Sequence, residues 1–256
     1  MSDWSILEMI VKICKTKEEV GQTAAALCNA QIIKNPQSVL GLATGSSVLT
    51  TYQAMVKAYN DGITDYSQIV TYNLDEYCGL ESTHPQSYCY FMEENLFKHI
   101  NIKPENTNLP DGKAIDFSKE SQRYEDSINS AGGIDLLLLG IGRNAHIAFN
   151  EPNTKLLDNT HRIELAKSTV QANARFFESE KDVPKASITM GIGTIMRSRT
   201  IVMVVSGSDK AEALAAMKNG LITPQCPASF LQLHNNVTVI VDEAAASQKA
   251  KSKPIC

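Results

Sequence analysis

Short, β-branched apolar runs alternate along this chain with longer stretches in which apolar residues recur every three to four positions. The first kind predicts strands over residues 9–14, 39–43, 69–74, 134–140, 200–206 and 237–241. Most are apolar on both faces, the pattern of parallel strands covered by helices. The second kind predicts helices. Thr16-Lys-Glu-Glu19 is a capping box, with Val20, Ala24, Leu27 and Cys28 following on one face. Further helices are expected over 48–60, 86–97, 118–129, 170–177 and 210–219. This alternation implies an α/β fold with a doubly wound, mostly parallel sheet in a three-layer α/β/α sandwich. Ligands of such sheets bind beyond the carboxyl ends of the strands. No internal repeat or linker divides the chain, so residues 9–256 are expected to form a single α/β domain, with 1–8 an extension before the first strand and Met9 an alternative start.

Composition narrows the function. With 256 residues, 43% hydrophobic and 20% charged, the chain can bury a substantial core. A net charge of −4 without a basic cluster argues against nucleic acid. An anionic substrate therefore requires a local basic pocket in an acidic whole. The six cysteines form no CxxC pair and no zinc-ligand spacing. Cys14 and Cys28 lie in apolar stretches and read as small core residues. No zinc site is expected, and free thiols fit a reducing cytoplasm. The N-terminus has acids where a signal peptide is basic, and no apolar run has the length of a membrane span.

Four strand ends carry chemistry. Thr44, Gly45, Ser46 and Ser47 follow the second strand and precede a helix, offering hydroxyls and backbone N–H groups where a phosphate is stabilised. The turn lacks the lysine of a nucleotide-binding loop. Asp75 and Glu76 close the third strand; one can enter the cleft while the other holds the loop. A carboxylate so placed can be tuned to remove a proton beside a carbonyl. Gly140–Ala145 satisfies a GxGxxA dinucleotide pattern, but Pro152 interrupts any helix seven residues beyond Ala145. The segment reads instead as a loop concentrating Asn144, His146, Asn150 and Glu151, an imidazole with groups to orient it. Arg175 and Lys210 complete the set, a guanidinium and an ammonium able to hold a phosphate. Singly, each group reads equally well as a cap, a surface acid or a solvated cation; the case lies in their convergence.

Together the segments LATGSS, NLDEYCGL, HPQSYCYFM, GIGRNAHIAFNEP, ANARFF, TMGIGTI, SGSDKAEAL and PASFLQLH resemble the glucosamine-6-phosphate deaminase (isomerase) family, in order, from about Met9 to Ser247. The resemblance implies a Rossmann-like sandwich that converts glucosamine 6-phosphate to fructose 6-phosphate and ammonia without metal or coenzyme. It implies Asp75 as the enolisation base, His146 as the ring-opening acid/base, and Asn144 and Glu151 as groups that orient that histidine. It places Thr44, Gly45, Ser46, Ser47, Arg175 and Lys210 around the substrate phosphate, and a mobile lid over 153–182. Many members have an acid where Asn144 stands, and a glycine where Ala145 stands; a positive φ at 145 would strain an alanine. Glu164 stands near where larger, allosteric members use a lysine. The Asn form resembles a shorter bacterial branch; Glu164 and the lack of the longer C-terminal tail imply no activation by N-acetylglucosamine 6-phosphate, and the latter a monomer or small oligomer.

Three alternatives remain open. A galactosamine-6-phosphate deaminase shares Asn before the histidine loop and the PASFL segment. A 6-phosphogluconolactonase shares the fold group but has no need of Asp75 as a carbon base, and the HIAFNEP continuation disfavours it. A non-catalytic sugar-phosphate-binding protein would bind without turnover; as a regulator it would need a DNA-binding helix pair for which no segment has room or charge.

Overall fold

The computed structural model describes residues 9–247. The expected extension over 1–8, and Cys256, lie outside the described residues. Ten strands occur among the described residues: β1 (Ile10–Cys14), β2 (Val39–Leu42), β3 (Val70–Asn73), β4 (Asp75–Tyr77), β5 (Thr107–Asn108), β6 (Leu136–Leu139), β7 (His161–Glu164), β8 (Ala186–Thr189), β9 (Thr200–Val205) and β10 (Val237–Asp242). The α-helices are α1 (Lys17–Lys34), α2 (Leu49–Asn60), α3 (Tyr88–Asn95), α4 (Phe117–Ser130), α5 (Lys167–Asn173), α6 (Ile192–Met196), α7 (Ala211–Asn219) and α8 (Glu243–Ala246). All six strands predicted from periodicity occur, within two residues at either end.

Seven strands form one parallel sheet in the order β1-β10-β9-β6-β2-β3-β5. Its centre is apolar on both faces: Leu136, Leu137, Leu138 and Leu139 of β6 are each no more than 2% exposed. Burying a leucine stabilises a fold by about 1.5–3 kcal/mol, and only helices on both sides can cover such a strand. The chain steps rightward from β1 to β2 to β3, then returns through β6, β9 and β10. Right-handed crossovers therefore place α1 and α2 on one face and α4 and α7 on the other. The reversal lies between β2 and β6, the topological switch point where such sheets bind ligands.

Helix α1 begins at the predicted cap. Thr16 Oγ1 accepts the Glu19 N–H at 3.2 Å, while Glu19 reaches back to the Lys15 N–H at 2.8 Å. Val20, Ala24 and Cys28 face the core as expected, but Leu27 is 37% exposed, one step off the buried stripe. Cys14 and Cys28 are buried in the core.

A second, antiparallel sheet, β4-β8-β7, was not foreseen. The chain leaves the large sheet at Asn73 and enters the small one at Asp75. The segment 153–182, expected as a lid, contains the unforeseen β7 and α5, and the helix expected over 170–177 starts three residues earlier and ends in a 3₁₀ turn, Ala174–Phe176. A small apolar cluster of Tyr77, Phe149, Leu165, Val170 and Val183 lies between these elements, apart from the main core.

Candidate active site

Residues 44–47, Asp75, the 140–151 loop and Lys210 follow the carboxyl ends of β2, β3, β6 and β9, which are consecutive neighbours in the sheet, whereas Arg175, expected at a strand end, lies in the 3₁₀ turn after α5. The four strand ends therefore share one edge, astride the switch point.

On β2, the turn 43–48 leads into α2. Gly45 has φ +97°, a left-handed conformation that any Cβ would strain. Val48 caps the helix without a side-chain acceptor, so the first N–H groups of α2 are not taken by a cap. Ser47 packs against the Gly140 turn: its Oγ stands 3.6 Å from where a Cβ on Gly140 would be. On β9, Gly207 has φ +95° and donates its N–H to the Asp242 carboxylate at 2.9 Å, fixing the turn that presents Lys210. Burial lowers the pKa of Lys210; Asp209 opposes this, and the positive charges of Arg143 and Arg175 add to it. Arg143 and Arg175 are thus both near enough to act on Lys210. Arg143 lies inside the GIGRNA motif but carried no assigned role. It donates Nε–H to Asp209 Oδ2 at 2.7 Å.

Just beyond β3, at the start of β4, the adjacent acids take opposite parts. Glu76 accepts three backbone N–H groups, from Tyr77 at 2.8 Å and from Tyr88 and Cys89 at 2.9 Å. It anchors the start of α3 from the side while Ser87 caps it. Burial still raises its pKa, with those N–H groups pulling it back. Asp75 is 6% exposed, and no hydrogen bond to its carboxyl occurs among the described residues. Burial, with the charge of Glu76 added, pushes its pKa up to about 8. Such a carboxyl is a strong base once ionised.

On β6, the loop 140–151 folds back on itself. Gly142 donates its N–H to the His146 carbonyl at 2.9 Å, and a Cβ on Gly142 would stand 2.2 Å from the imidazole. That glycine is the floor on which the ring lies. Asn144 Nδ2 donates to Glu151 Oε2 at 2.6 Å, which leaves Asn144 Oδ1 to accept from His146 Nδ1 at 2.7 Å. The amide orientation so fixed requires Nδ1 to carry the proton, so a neutral imidazole presents Nε2 as a base. Glu151 Oε2 lies 3.4 Å from Nδ1. Burial would raise the Glu151 pKa, but the hydrogen bond and charge of His146, with donors from Thr169 and Asn144, hold it at about 2. Ala145 has φ +64°, the positive φ anticipated, and Ala148 has φ +51°, which was not anticipated.

The β3 and β6 loops are tied together. Met190 donates its N–H to the Leu74 carbonyl at 2.7 Å, and Asn150 Nδ2 donates to the Met190 carbonyl at 2.8 Å. Thr189, paired with Asp75 in the small sheet, accepts the Phe149 N–H at 3.2 Å. Asp75 and the histidine loop are thus neighbours through β8. Above them, α5 docks by two polar contacts: Thr169 Oγ1 donates to Glu151 Oε1 at 2.6 Å, and Asn173 Nδ2 donates to the Tyr77 hydroxyl at 2.8 Å. Thr169 escaped sequence reasoning because nothing in its own segment marks it. Among the described residues, no group of three or more His, Cys, Asp or Glu could hold a metal ion. No described helix is long and apolar enough to cross a membrane.

Known proteins share this sequence and fold. The family model for glucosamine-6-phosphate isomerases and 6-phosphogluconolactonases matches residues 15–240. A glucosamine-6-phosphate deaminase of Clostridioides difficile is 54% identical over 240 residues, 94% of this chain and 96% of that protein. One from Alkaliphilus oremlandii is 47% identical over 239 residues, 93% and 99% of the two chains. Among solved structures, a monomeric glucosamine-6-phosphate deaminase superposes with a TM-score of 0.92 at 44% identity, covering 94% of this chain and all of that one. A 6-phosphogluconolactonase of Thermotoga maritima, at 18% identity and a TM-score of 0.74, shares the fold. The chain belongs to the glucosamine-6-phosphate isomerase/6-phosphogluconolactonase family.

Proposed function

We propose that this protein is a glucosamine-6-phosphate deaminase, a single catalytic unit with a lid near 153–182 that releases ammonia by hydrolysis of a carbon–nitrogen bond. Thr44, Gly45, Ser46 and Ser47 at the head of α2, with Arg175 and Lys210, hold the phosphate. That anchor presents C1 and C2 of the sugar to Asp75. His146 acts first, moving a proton from the anomeric hydroxyl to the ring oxygen, because a hemiacetal carbon has no carbonyl to acidify C2. Asn144 and Glu151 set its orientation. Asp75 then takes the C2 proton and returns it to C1, converting the amino aldehyde through an enolamine to an imine at C2. Water adds to the imine, and ammonia leaves to give fructose 6-phosphate. The lid excludes bulk water while the enolamine exists. No step needs a metal or coenzyme. The protein acts as a monomer or small oligomer in a reducing cytoplasm, binding neither nucleic acid nor membrane.

The observation that supports this reading is Asp75: a buried carboxyl raised to about 8, at a strand end tied through β8 to the loop that carries an oriented imidazole. Lactone hydrolysis has no use for a carbon base there. The test is ammonia and fructose 6-phosphate release from glucosamine 6-phosphate and, separately, galactosamine 6-phosphate. Faster turnover of the galactosamine epimer would reassign the substrate. Binding of both without ammonia would leave a sugar-phosphate-binding protein.

A further inference from the structure

Glu151 has a second face that the ring-opening step does not use. Oε2 serves the Asn144–His146 side, while Oε1 takes the Thr169 hydroxyl at 2.6 Å. Thr169 stands in the first turn of α5, where its N–H bonds the Ala166 carbonyl at 2.9 Å, so its position follows that of the helix. The same helix places Asn173 on the Tyr77 hydroxyl and runs directly into the 3₁₀ turn bearing Arg175. One short element therefore reaches the imidazole's carboxylate, the strand that begins at Asp75, and the cationic end of the site.

We propose that Thr169 is a positioning residue: its hydroxyl completes the coordination of Glu151 beside His146, so that docking of α5 and orientation of the ring-opening imidazole are one event. This rests on the deaminase reading above. A carboxylate with its remaining lone pairs filled by fixed donors is held in one rotamer. Without the Thr169 donor, Glu151 is free to rotate off the Asn144 amide, and the amide that fixes the His146 tautomer loses its own anchor. The helix that brings Arg175 toward the phosphate thereby prepares the imidazole for the ring of the same substrate.

The test compares Thr169→Val, which keeps the shape and removes the donor, with Thr169→Ser, which keeps the donor. A lost hydrogen bond to a charged acceptor corresponds to a fall of roughly tenfold or more. The expected result is that fall in kcat for Thr169→Val, with KM changed less than about twofold, and recovery in Thr169→Ser to within about twofold of the parent. Introduced into Glu151→Gln, Thr169→Val should add less than about a twofold loss, since both changes act through one group. Equal thermal melting of the Val and Ser variants separates this from unfolding. Parent-like kcat in Thr169→Val, equal losses in the Val and Ser variants, or full additivity with Glu151→Gln would each overturn the assignment. A parent protein that releases no ammonia from either amino-sugar phosphate would overturn the deaminase reading itself, and is told apart by that control.

Discussion

The two sheets meet at Asp75, and they hold their parts of the site by different means. The large sheet positions its loops through continuous parallel ladders and apolar faces buried on both sides. The small sheet is three short antiparallel strands of mixed polarity, packed on a small apolar cluster and anchored by a few side-chain hydrogen-bond acceptors. Glu125 is the main one: its Oε1 accepts the Thr160 N–H at 2.6 Å and hydroxyls from Thr160 at 2.5 Å and Thr194 at 2.6 Å, while Arg197 approaches Oε2 at 3.3 Å. Ser187 adds a hydroxyl bond to the Glu76 carbonyl at 2.7 Å. The division teaches that the loops bearing residues 44–47, 140–151 and 207–210 rest on the large sheet, while Asp75 opens the small one and depends on contacts that are more easily exchanged.

Asp75 stands at the seam, and its replacement should have the largest effect. Asp75→Asn should lower ammonia release by about 10²- to 10⁴-fold while sugar-phosphate binding persists. With its pKa near 8, the base is largely protonated at neutral pH, so kcat/KM of the parent should climb as pH rises toward 8. Stability runs the other way. Below the ordinary carboxylate value of 3.8 the group is neutral in both states and contributes no difference. Between 3.8 and about 8 the folded state keeps a proton that the unfolded state releases. The parent therefore loses up to about 1.4 kcal/mol of stability per pH unit across that window from this group. Asp75→Asn should lack that slope and melt higher at pH 8. Equal melting of the two proteins at all pH values would show that the carboxyl is not held protonated by burial.

Next comes the small sheet's anchor. Glu125→Ala removes the acceptor of three bonds in a buried place and should cost about 3 kcal/mol. Amide exchange should quicken at 161–164 and 186–189 well before 136–139 and 200–205. Equal loss of protection in both sheets would break the contrast drawn here. Gly142→Ala should act inside the rigid part without unfolding it. A methyl 2.2 Å from the imidazole must displace the ring, and kcat should fall about 10- to 100-fold with melting little changed.

The same contrast governs what the sequence discloses. β2, β6, β9 and β10 are legible because strands buried on two faces need apolar residues at successive positions. β4, β7 and β8 are not. His161-Arg-Ile-Glu164 shows three polar residues in four, and Ser187 and Thr189 are buried only because Glu76 and Phe149 meet their hydroxyls. Such strands exist by tertiary contact and leave no local period. In the site, Asp75, Asn144, His146 and Glu151 could be picked out because they crowd the ends of legible strands. Their individual roles came from family resemblance, not from spacing. Arg143 was in view without a role, since its partner Asp209 lies 66 positions away. Thr169 was out of view, since its segment has no pattern of its own.

The smallest predicted effect concerns Ala145, where strain and packing oppose each other. A left-handed alanine is disfavoured against glycine by about 1–2 kcal/mol. Two terms offset this. The Ala145 side chain is 3% exposed within the main core, and a buried methyl is worth about 0.8 kcal/mol. Glycine would also loosen the unfolded chain, at about 0.5–1 kcal/mol. The sums nearly cancel, so Ala145→Gly should shift melting by less than about 3 °C and leave kcat/KM within about twofold. The loop is held in place independently, by the Ala228 N–H on the Ala145 carbonyl at 3.0 Å and by the Gly142–His146 bond. Ala145→Val has no such compensation, because a β-branched residue tolerates positive φ worst and the site is already full. It should lose both stability and activity. A glycine variant that melts many degrees higher, or turns over several times faster, would mean that the alanine strains the histidine loop and that burial of its methyl does not balance the cost.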